Sequence, residues 1–382
     1  MNELHPSNQS PVPLRLPVPF RILSMRLIKG HSKATKSGPL KRNKGMKKVD
    51  FVGIDISKDY IDCALLNADQ PGSFKDKKVE NSLEGFDAME QWLLKNNIQI
   101  KENCLFCMEH TGTYGLLLIA WLNQKDFDLC VEPGLKIKRS MGMTRGKNDK
   151  VDARRIADYS FTNVTKLKLF SVPAEEIVYI KQLLTYREQL VRTRTSFKNS
   201  LKSHQQYEQI TKRKNVTDDI NKLIKDHKMR IKEIEKEIIN AIESNQKLRK
   251  NFELATSVTG IGLVIAAFML VTTNNFSSFE DGRSYACYTG VAPFEHTSGT
   301  SIRGRTSVSH LANKRVKTML SRGANSAVNW DPELKVYYKR KIEEGKDHKV
   351  VINAISCKLI NRVFAVVKRQ TPFVITYQQK IA

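Results

Sequence analysis

The stretch Val49-Asp-Phe-Val-Gly-Ile-Asp-Ile-Ser-Lys58 decides the fold. Val49, Phe51, Val52 and Ile54 form a run of β-forming side chains that ends on a carboxylate, Asp55. Gly53 and Ile54 leave the backbone beside it close-packed. A carboxylate at the end of an apolar run is costly unless a cation or another partner compensates it, so Asp55 is the first candidate functional residue.

Working outward, Tyr60 to Leu66 reads as a second strand after a short turn, and Lys77 to Asn81 as a third. Ser82 caps a helix running through Phe86, Met89, Trp92 and Leu93. Cys104 to Met108 is a fourth strand, ending on Glu109. Gly115 to Leu122 is a helix and Phe127 to Val131 a fifth strand. After a basic loop, Asp149 begins a helix through Val151, Ile156 and Ala157. Three strands followed by alternation with helices predict a mixed five-stranded α/β sheet with helices on its faces, over residues 47–175.

The flanks differ from this unit. Residues 1–45 hold six of the twelve prolines, nine Lys or Arg and one acid, Glu3. Such a composition buries no core, so 1–46 is expected to be a disordered basic extension. Translation starting at Met46 is a second reading, since the first strand follows at once. Over 176–250, Ile177, Ile180, Leu183 and Leu184, then Ile231, Ile234, Ile238 and Ile242, recur at helical spacing among charges. This predicts two long helices joined near Arg213 to Thr217, as a coiled-coil arm for dimerisation or as an internal hairpin. Residues 251–382 read as a third, mostly α-helical unit, with a polar loop from Phe294 to Ser309.

Lys plus Arg is 64 against 39 Asp plus Glu, a net charge of +25. Clustered cations gain from counterion release on a phosphate backbone, so the expected partner is nucleic acid. No convincing basic amphipathic helix points to a membrane surface. The longest apolar stretch, Ile261 to Val271, falls short of the roughly 20 residues a bilayer needs. No membrane span is expected, and the expected location is the cytoplasm, at the nucleoid. The six cysteines sit in apolar segments, which suits reduced core thiols. Cys104-x-x-Cys107 has half the spacing of a zinc site, without a second pair.

Asp55 and Glu109 close two apolar strands. If these are neighbours, the carboxylates end side by side. Asp149 and Asp152, three apart at a helix start, share a face that the helix can bring over them. Converging carboxylates suit hard divalent cations, Mg2+ or Mn2+, held as two ions roughly 3.5–4 Å apart for phosphoryl transfer. Taken singly, Asp149 reads equally as an N-cap and Asp55 as a turn residue. Asp59 and Asp62 lack the combined placement; Asp158, near the same helix face, is a minor alternative. Lys136, Lys138, Arg139, Arg145 and Lys147 would sit beside such a site, and Arg154 and Arg155 follow on the helix. These read as phosphate contacts or as solubilising charge. In Val258-Thr-Gly-Ile-Gly-Leu263, Gly260 and Gly262 permit a tight turn presenting backbone N–H groups to phosphate, as helix-hairpin-helix modules do, or a plain turn. Arg303 and Arg305 complete the nucleic-acid candidates.

These motifs resemble the DEDD-type transposases of the IS110 insertion-sequence family. The matching pieces are Gly53-Ile-Asp-Ile-Ser-Lys58, Glu109-His-Thr-Gly-Thr-Tyr114, Lys147-Asn-Asp-Lys-Val-Asp-Ala153, Gly260-Ile-Gly262, Gly290-Val-Ala-Pro293 and Ser298-Gly299, in the family's order. The resemblance implies an RNase H-like (RuvC-like) domain, a coiled coil and a C-terminal transposase domain with a catalytic serine. By motif that serine is Ser298, in a polar, Gly-flanked stretch where the residues alone favour Ser301 or a turn serine equally. It implies attack of Ser298 on a DNA phosphate, a covalent serine–DNA link, a structured guide RNA, and a homodimer or homotetramer sharing the site between subunits. Where the family has Lys-x-Gly-Asn, this chain has His310-Leu-Ala-Asn313. Other readings are a Holliday-junction-resolvase-like endonuclease using water as nucleophile, an actin-like or sugar-kinase-like ATPase, and an inactive nucleic-acid binder. Only the first uses Asp149 and Asp152 as well as Asp55.

Overall fold

The structure is a computed structural model describing residues 48–98, 101–110, 112–140, 149–292, 294–298, 302–307 and 312–375, which fall within one unit. Three strands, β1 (Asp50–Ile56), β2 (Tyr60–Asn67) and β3 (Phe74–Glu80), form an antiparallel meander. Helix α1 (Leu83–Lys95) follows, with Ser82 accepting the Gly85 N–H as its N-cap. Then come β4 (Cys104–Glu109), α2 (Leu116–Gln124) and β5 (Asp128–Glu132). β4 pairs in parallel with β1, and β5 with β4, giving the order β3-β2-β1-β4-β5. This is the mixed five-stranded sheet expected from the sequence, and it fits an RNase H-like α/β domain.

Alternation sorts each strand onto two faces. Val52, Ile54 and Ile56 pack with Phe106, Met108 and Phe86 on the α1/α2 side. Phe51, Leu105, Cys107 and Cys130 pack with Ala153, Ile156 and Ala157 on the other. That second face is covered by α4 (Asp149–Thr162), which follows the short helix α3 (Gly134–Ser140). Cys104 and Cys107 therefore point to opposite sides of β4 and cannot ligate one ion together. All four sheet cysteines are buried thiols. At the far end of the sheet, the buried Lys48 ammonium donates to Asp128 (2.6 Å) and to the carbonyls of Cys104 (3.2 Å) and Glu102, tying β1 to β4 and β5.

Some boundaries differ from the sequence reading. The third strand begins at Phe74, because the alternating Lys-Asp-Lys-Lys of an edge strand carries no apolar signature. The basic segment after β5 is helical at Lys136, Lys138 and Arg139, while Arg145 and Lys147 lie outside the described residues.

Helices α5 (Glu175–Thr211) and α6 (Asn215–Glu243) form an antiparallel hairpin that turns at Lys212, whose φ is +56°. Ile177, Ile180, Leu183 and Leu184 meet Ile234, Ile238 and Ile242 at its base, and Arg187 donates to Glu235 at 2.8 and 2.6 Å. The base packs on the remaining helices: α7 (Gln246–Thr256), α8 (Leu263–Thr272), α9 (Gly282–Thr289), α10 (Lys314–Trp330), α11 (Pro332–Glu343) and α12 (His348–Arg369). Helix α12 is long and apolar enough to cross a bilayer, but eight of its residues, from Val351 to Val366, are buried in the helical core. The stretch read as a polar loop contains a hairpin, β6 (Phe294–Ser298) and β7 (Ile302–Ser307). Its Thr, Ser, His and Arg side chains hide the strand period that apolar alternation reveals elsewhere.

Candidate active site

A single packing contact assembles the site. An added Cβ on Gly53 would lie 2.2 Å from the carbonyl oxygen of Ala153 and 2.2 Å from the nitrogen of Ala157. Only a residue without a side chain lets α4 lie this close on β1. Asp55 is two residues beyond Gly53 on the same face, and Asp149 and Asp152 occupy the first turn of α4, just before Ala153. The close contact thus brings the helix acids to the strand-end acid. Glu109 closes β4, the strand next to β1. Its carboxylate rests on the bare Cα of Gly134, where a Cβ would fall 1.9 Å from Oε1.

Electrostatics report the same convergence. The Asp55 carboxyl is pushed up to about 6 by burial first, then by the charges of Asp152, Asp149, Glu109 and Asp62. Four other acids thus act on one carboxylate that itself has no ion pair among the described residues. Asp55, Glu109 and Asp149 form no ion pair with any described residue, whereas Asp152 accepts from Arg155 at 2.7 Å. Among the described residues the acids are gathered rather than closed on one point: no three stand at metal-ligating distance. Mutual repulsion and the Arg155 contact account for that open arrangement. The donor set is all oxygen, suited to hard divalent cations, and the uncompensated field at Asp55 is one a cation would relieve.

Two acids beside the site were not picked out from the sequence as part of it. Asp62 is the register partner of Asp55 on β2, and Glu132 that of Glu109 on β5. Asp62, Asp55, Glu109 and Glu132 thus form a row across four strands on the α4 face. Lysines hold the outer pair, Lys78 near Asp62 (3.7 Å) and Lys136 on Glu132 (2.8 Å). The inner pair has no such partner. Asp62 stands near the start of an apolar run rather than at its end, and the place of Glu132 follows only from the parallel register of β4 and β5. Asp158, the minor alternative, is exposed farther along α4, away from the strand ends.

The basic candidates separate. Arg154 donates through Nε to Asp76 of β3 (2.8 Å) and through a second nitrogen, and Lys150 approaches the same carboxylate at 3.1 Å. Arg154 first, then Lys150, hold Asp76 below the usual carboxylate range. Arg154 thus anchors α4 to the sheet edge. Arg155 sits on Asp152. Gly260, with φ +95°, packs against Gly323 of α10, where its Cβ would meet the carbonyl at 2.6 Å; Gly262 caps α8 with open space around it. Ser298 ends β6 opposite Ile302, and Arg303 and Arg305 lie on β7. Asn313, the residue of the expected Lys-x-Gly-Asn motif that this chain keeps, accepts the Val316 N–H as the N-cap of α10.

An RNase H-like sheet with acids gathered at its strand ends defines the class of nucleic-acid strand-processing domains. A transposase model of the DEDD type matches residues 52–209, and the model of the Transposase IS116/IS110/IS902 family matches residues 252–339. The chain is similar to the pilin gene-inverting proteins of Moraxella bovis and Moraxella lacunata. Each is 26% identical over 332 residues, 85% of this chain and 97% of the relative. It is also 33% identical over 116 residues, 30% of this chain and 28% of the relative, to an insertion element IS110 uncharacterized 43.6 kDa protein of Streptomyces coelicolor. The chain belongs to the IS110 family of transposases, enzymes of DNA recombination.

Proposed function

We propose that this transposase exchanges DNA strands by phosphoryl transfer, with Asp55, Glu109, Asp149 and Asp152 holding two Mg2+ or Mn2+ ions and Ser298 as nucleophile. The observation that carries the reading is the gathering of three further acids around a carboxylate that its burial first, and then their charge, push up to about 6. Bound divalent cations would supply Lewis acidity and neutralise charge at a phosphate. The residues of the chain do the rest. Glu109 on Gly134, and α4 on Gly53, place four carboxylates on one edge of a rigid sheet. Arg155 releases Asp152 when a cation competes for it.

In the proposed step the Ser298 hydroxyl loses its proton and forms a bond to phosphorus, and a DNA oxygen leaves with the electron pair. A hydroxyl from a second DNA strand then displaces the serine. One phosphodiester is broken and one made, so no energy-supplying cofactor is needed. Gene inversion, named for the two Moraxella relatives, is a reaction of that balance. The reading divides the chain into an RNase H-like domain (47–175), a coiled-coil arm for dimerisation (176–250) and a C-terminal transposase domain (251–382). It assigns phosphate contacts to Lys147, Arg155, Gly260, Gly262, Arg303 and Arg305, with Arg154 acting through Asp76. It includes a structured guide RNA, which the charge of +25 accommodates, and a homodimer or homotetramer. The test is a denaturing-gel assay for a covalent protein–DNA adduct with Mg2+. The wild type is expected to form it and Ser298→Ala to lose both adduct and strand exchange. Cleavage by Ser298→Ala leaving free ends would instead make water the nucleophile, as in a junction resolvase.

A further inference from the structure

Helix α10 is basic and amphipathic. Its sequence, Lys-Arg-Val-Lys-Thr-Met-Leu-Ser-Arg-Gly-Ala-Asn-Ser-Ala-Val-Asn-Trp, contains four cations and no acid. One side is core: Val316, Leu320, Gly323, Ala324 and Ala327 are buried. The other side exposes Lys314, Arg322, Asn325, Ser326 and Asn329. Lys314, Lys317 and Arg322 form no ion pair with any described residue, while Arg315 is taken up by Glu188. The helix ends on Trp330, which is 76% exposed. A ring of that size left in water gives up burial that the other two tryptophans of the chain largely obtain.

The ring projects from a fixed base. Asp331, next in the chain and 1% exposed, caps α11 through the Leu334 N–H (3.0 Å) and accepts from Arg362 at 2.7 Å. One turn earlier, Ala327 packs against the Gly260 turn, and Gly323 lies backbone to backbone with Gly260. Little backbone ordering is therefore left to be done when something docks on Trp330.

The surroundings of the ring choose the occupant. A protein-docking surface has an apolar centre built from several side chains, yet Trp330 is the one large apolar side chain that α10 exposes. A single aromatic ring at the end of a helix whose outer face carries unpaired cations and amide side chains is what an unpaired strand needs: a base stacks on the ring and the backbone follows the positive charge along the helix. Paired bases are stacked on one another and offer no face to such a ring.

We propose that the outer face of α10 is a docking surface for an unpaired DNA strand, with Trp330 as the base-stacking platform and Lys314 and Arg322 on the phosphates. This rests on the strand-exchange reading above, since exchanging strands requires that they unpair. Helix α10 begins shortly after the β6–β7 hairpin, whose first strand ends in Ser298, so the platform belongs to the same region of the chain as the assigned nucleophile.

The test is fluorescence anisotropy of labelled single-stranded DNA, of the matching duplex and of single-stranded RNA of the same sequence with the full chain, as wild type, Trp330→Ala and Trp330→Phe. Gel filtration of each variant runs alongside. Trp330→Ala is expected to weaken single-strand binding about tenfold or more, to leave duplex binding within about twofold, and to keep the wild-type subunit number. Trp330→Phe retains most of the affinity. Unchanged single-strand binding by Trp330→Ala overturns the proposal. So does an equal loss on duplex, a change in subunit number, which would make a second copy the occupant, or a loss confined to single-stranded RNA of the same sequence. A wild type that binds no DNA at all defeats the strand-exchange reading itself, an outcome distinct from these.

Discussion

At the scale of single residues, the site is defined by a carboxylate held against its preference. Asp55 ionises at about 6 in the folded chain against 3.8 ordinarily. A folded-state value raised in this way means that the charged form opposes folding. The penalty is present above about 6 and disappears as the pH falls toward 4. Asp55→Asn is therefore expected to stabilise the metal-free protein at pH 7.5 by about 1–2 kcal/mol once solvent screening of the half-buried carboxyl is allowed for, measured by urea unfolding, and to lose strand exchange. The gain should shrink at pH 4.5 and on adding Mn2+. A variant less stable than wild type at pH 7.5 would mean that Asp55 is balanced by its surroundings. The second residue-scale prediction concerns Gly134. A methyl group there must displace the Glu109 carboxylate it would touch at 1.9 Å. Gly134→Ala is expected to reduce strand exchange roughly 100-fold, in line with the cost of small misplacements in active sites, with a circular-dichroism melt close to wild type. Full activity would remove Glu109 from the site.

Elements explain why these residues meet. Strand β1 and helix α4 are nearly a hundred residues apart in sequence and touch through Gly53, so the helix that bears Asp149 and Asp152 is placed by the strand that bears Asp55. Gly53→Ala adds a Cβ with nowhere to go, and is expected to cost about 1–3 kcal/mol or more in urea unfolding together with activity. A stable, active Gly53→Ala would show that α4 can shift without harm to the site. This contact also marks how far the sequence could be read. Asp55, Glu109 and the Asp149/Asp152 pair were legible because each interrupts a strong apolar pattern or starts a helix, and β1 and β4 were legible as apolar runs. Asp62 and Glu132 were not read as part of the site, because their relevance depends on register across the sheet, which no local pattern carries. The Arg154–Asp76 anchor was equally hidden, since a surface arginine looks alike whether it meets phosphate or a carboxylate. The β6–β7 hairpin was missed because its strands are polar.

On the scale of the whole molecule, the chain joins an acid-lined sheet edge to a strongly basic remainder. A net charge of +25 draws in a polyanion, while the acids repel it unless cations intervene. On the proposed reading, that opposition makes divalent cations a condition for DNA at the sheet edge, and this is the central claim. Mn2+ binding to the full-length protein, followed by isothermal titration calorimetry with and without DNA, tests it most directly. Wild type should bind Mn2+, more tightly with DNA present, and Asp55→Asn and Asp152→Asn should each lose most of that binding while remaining folded. Mn2+ binding that is unchanged in both variants would contradict the account.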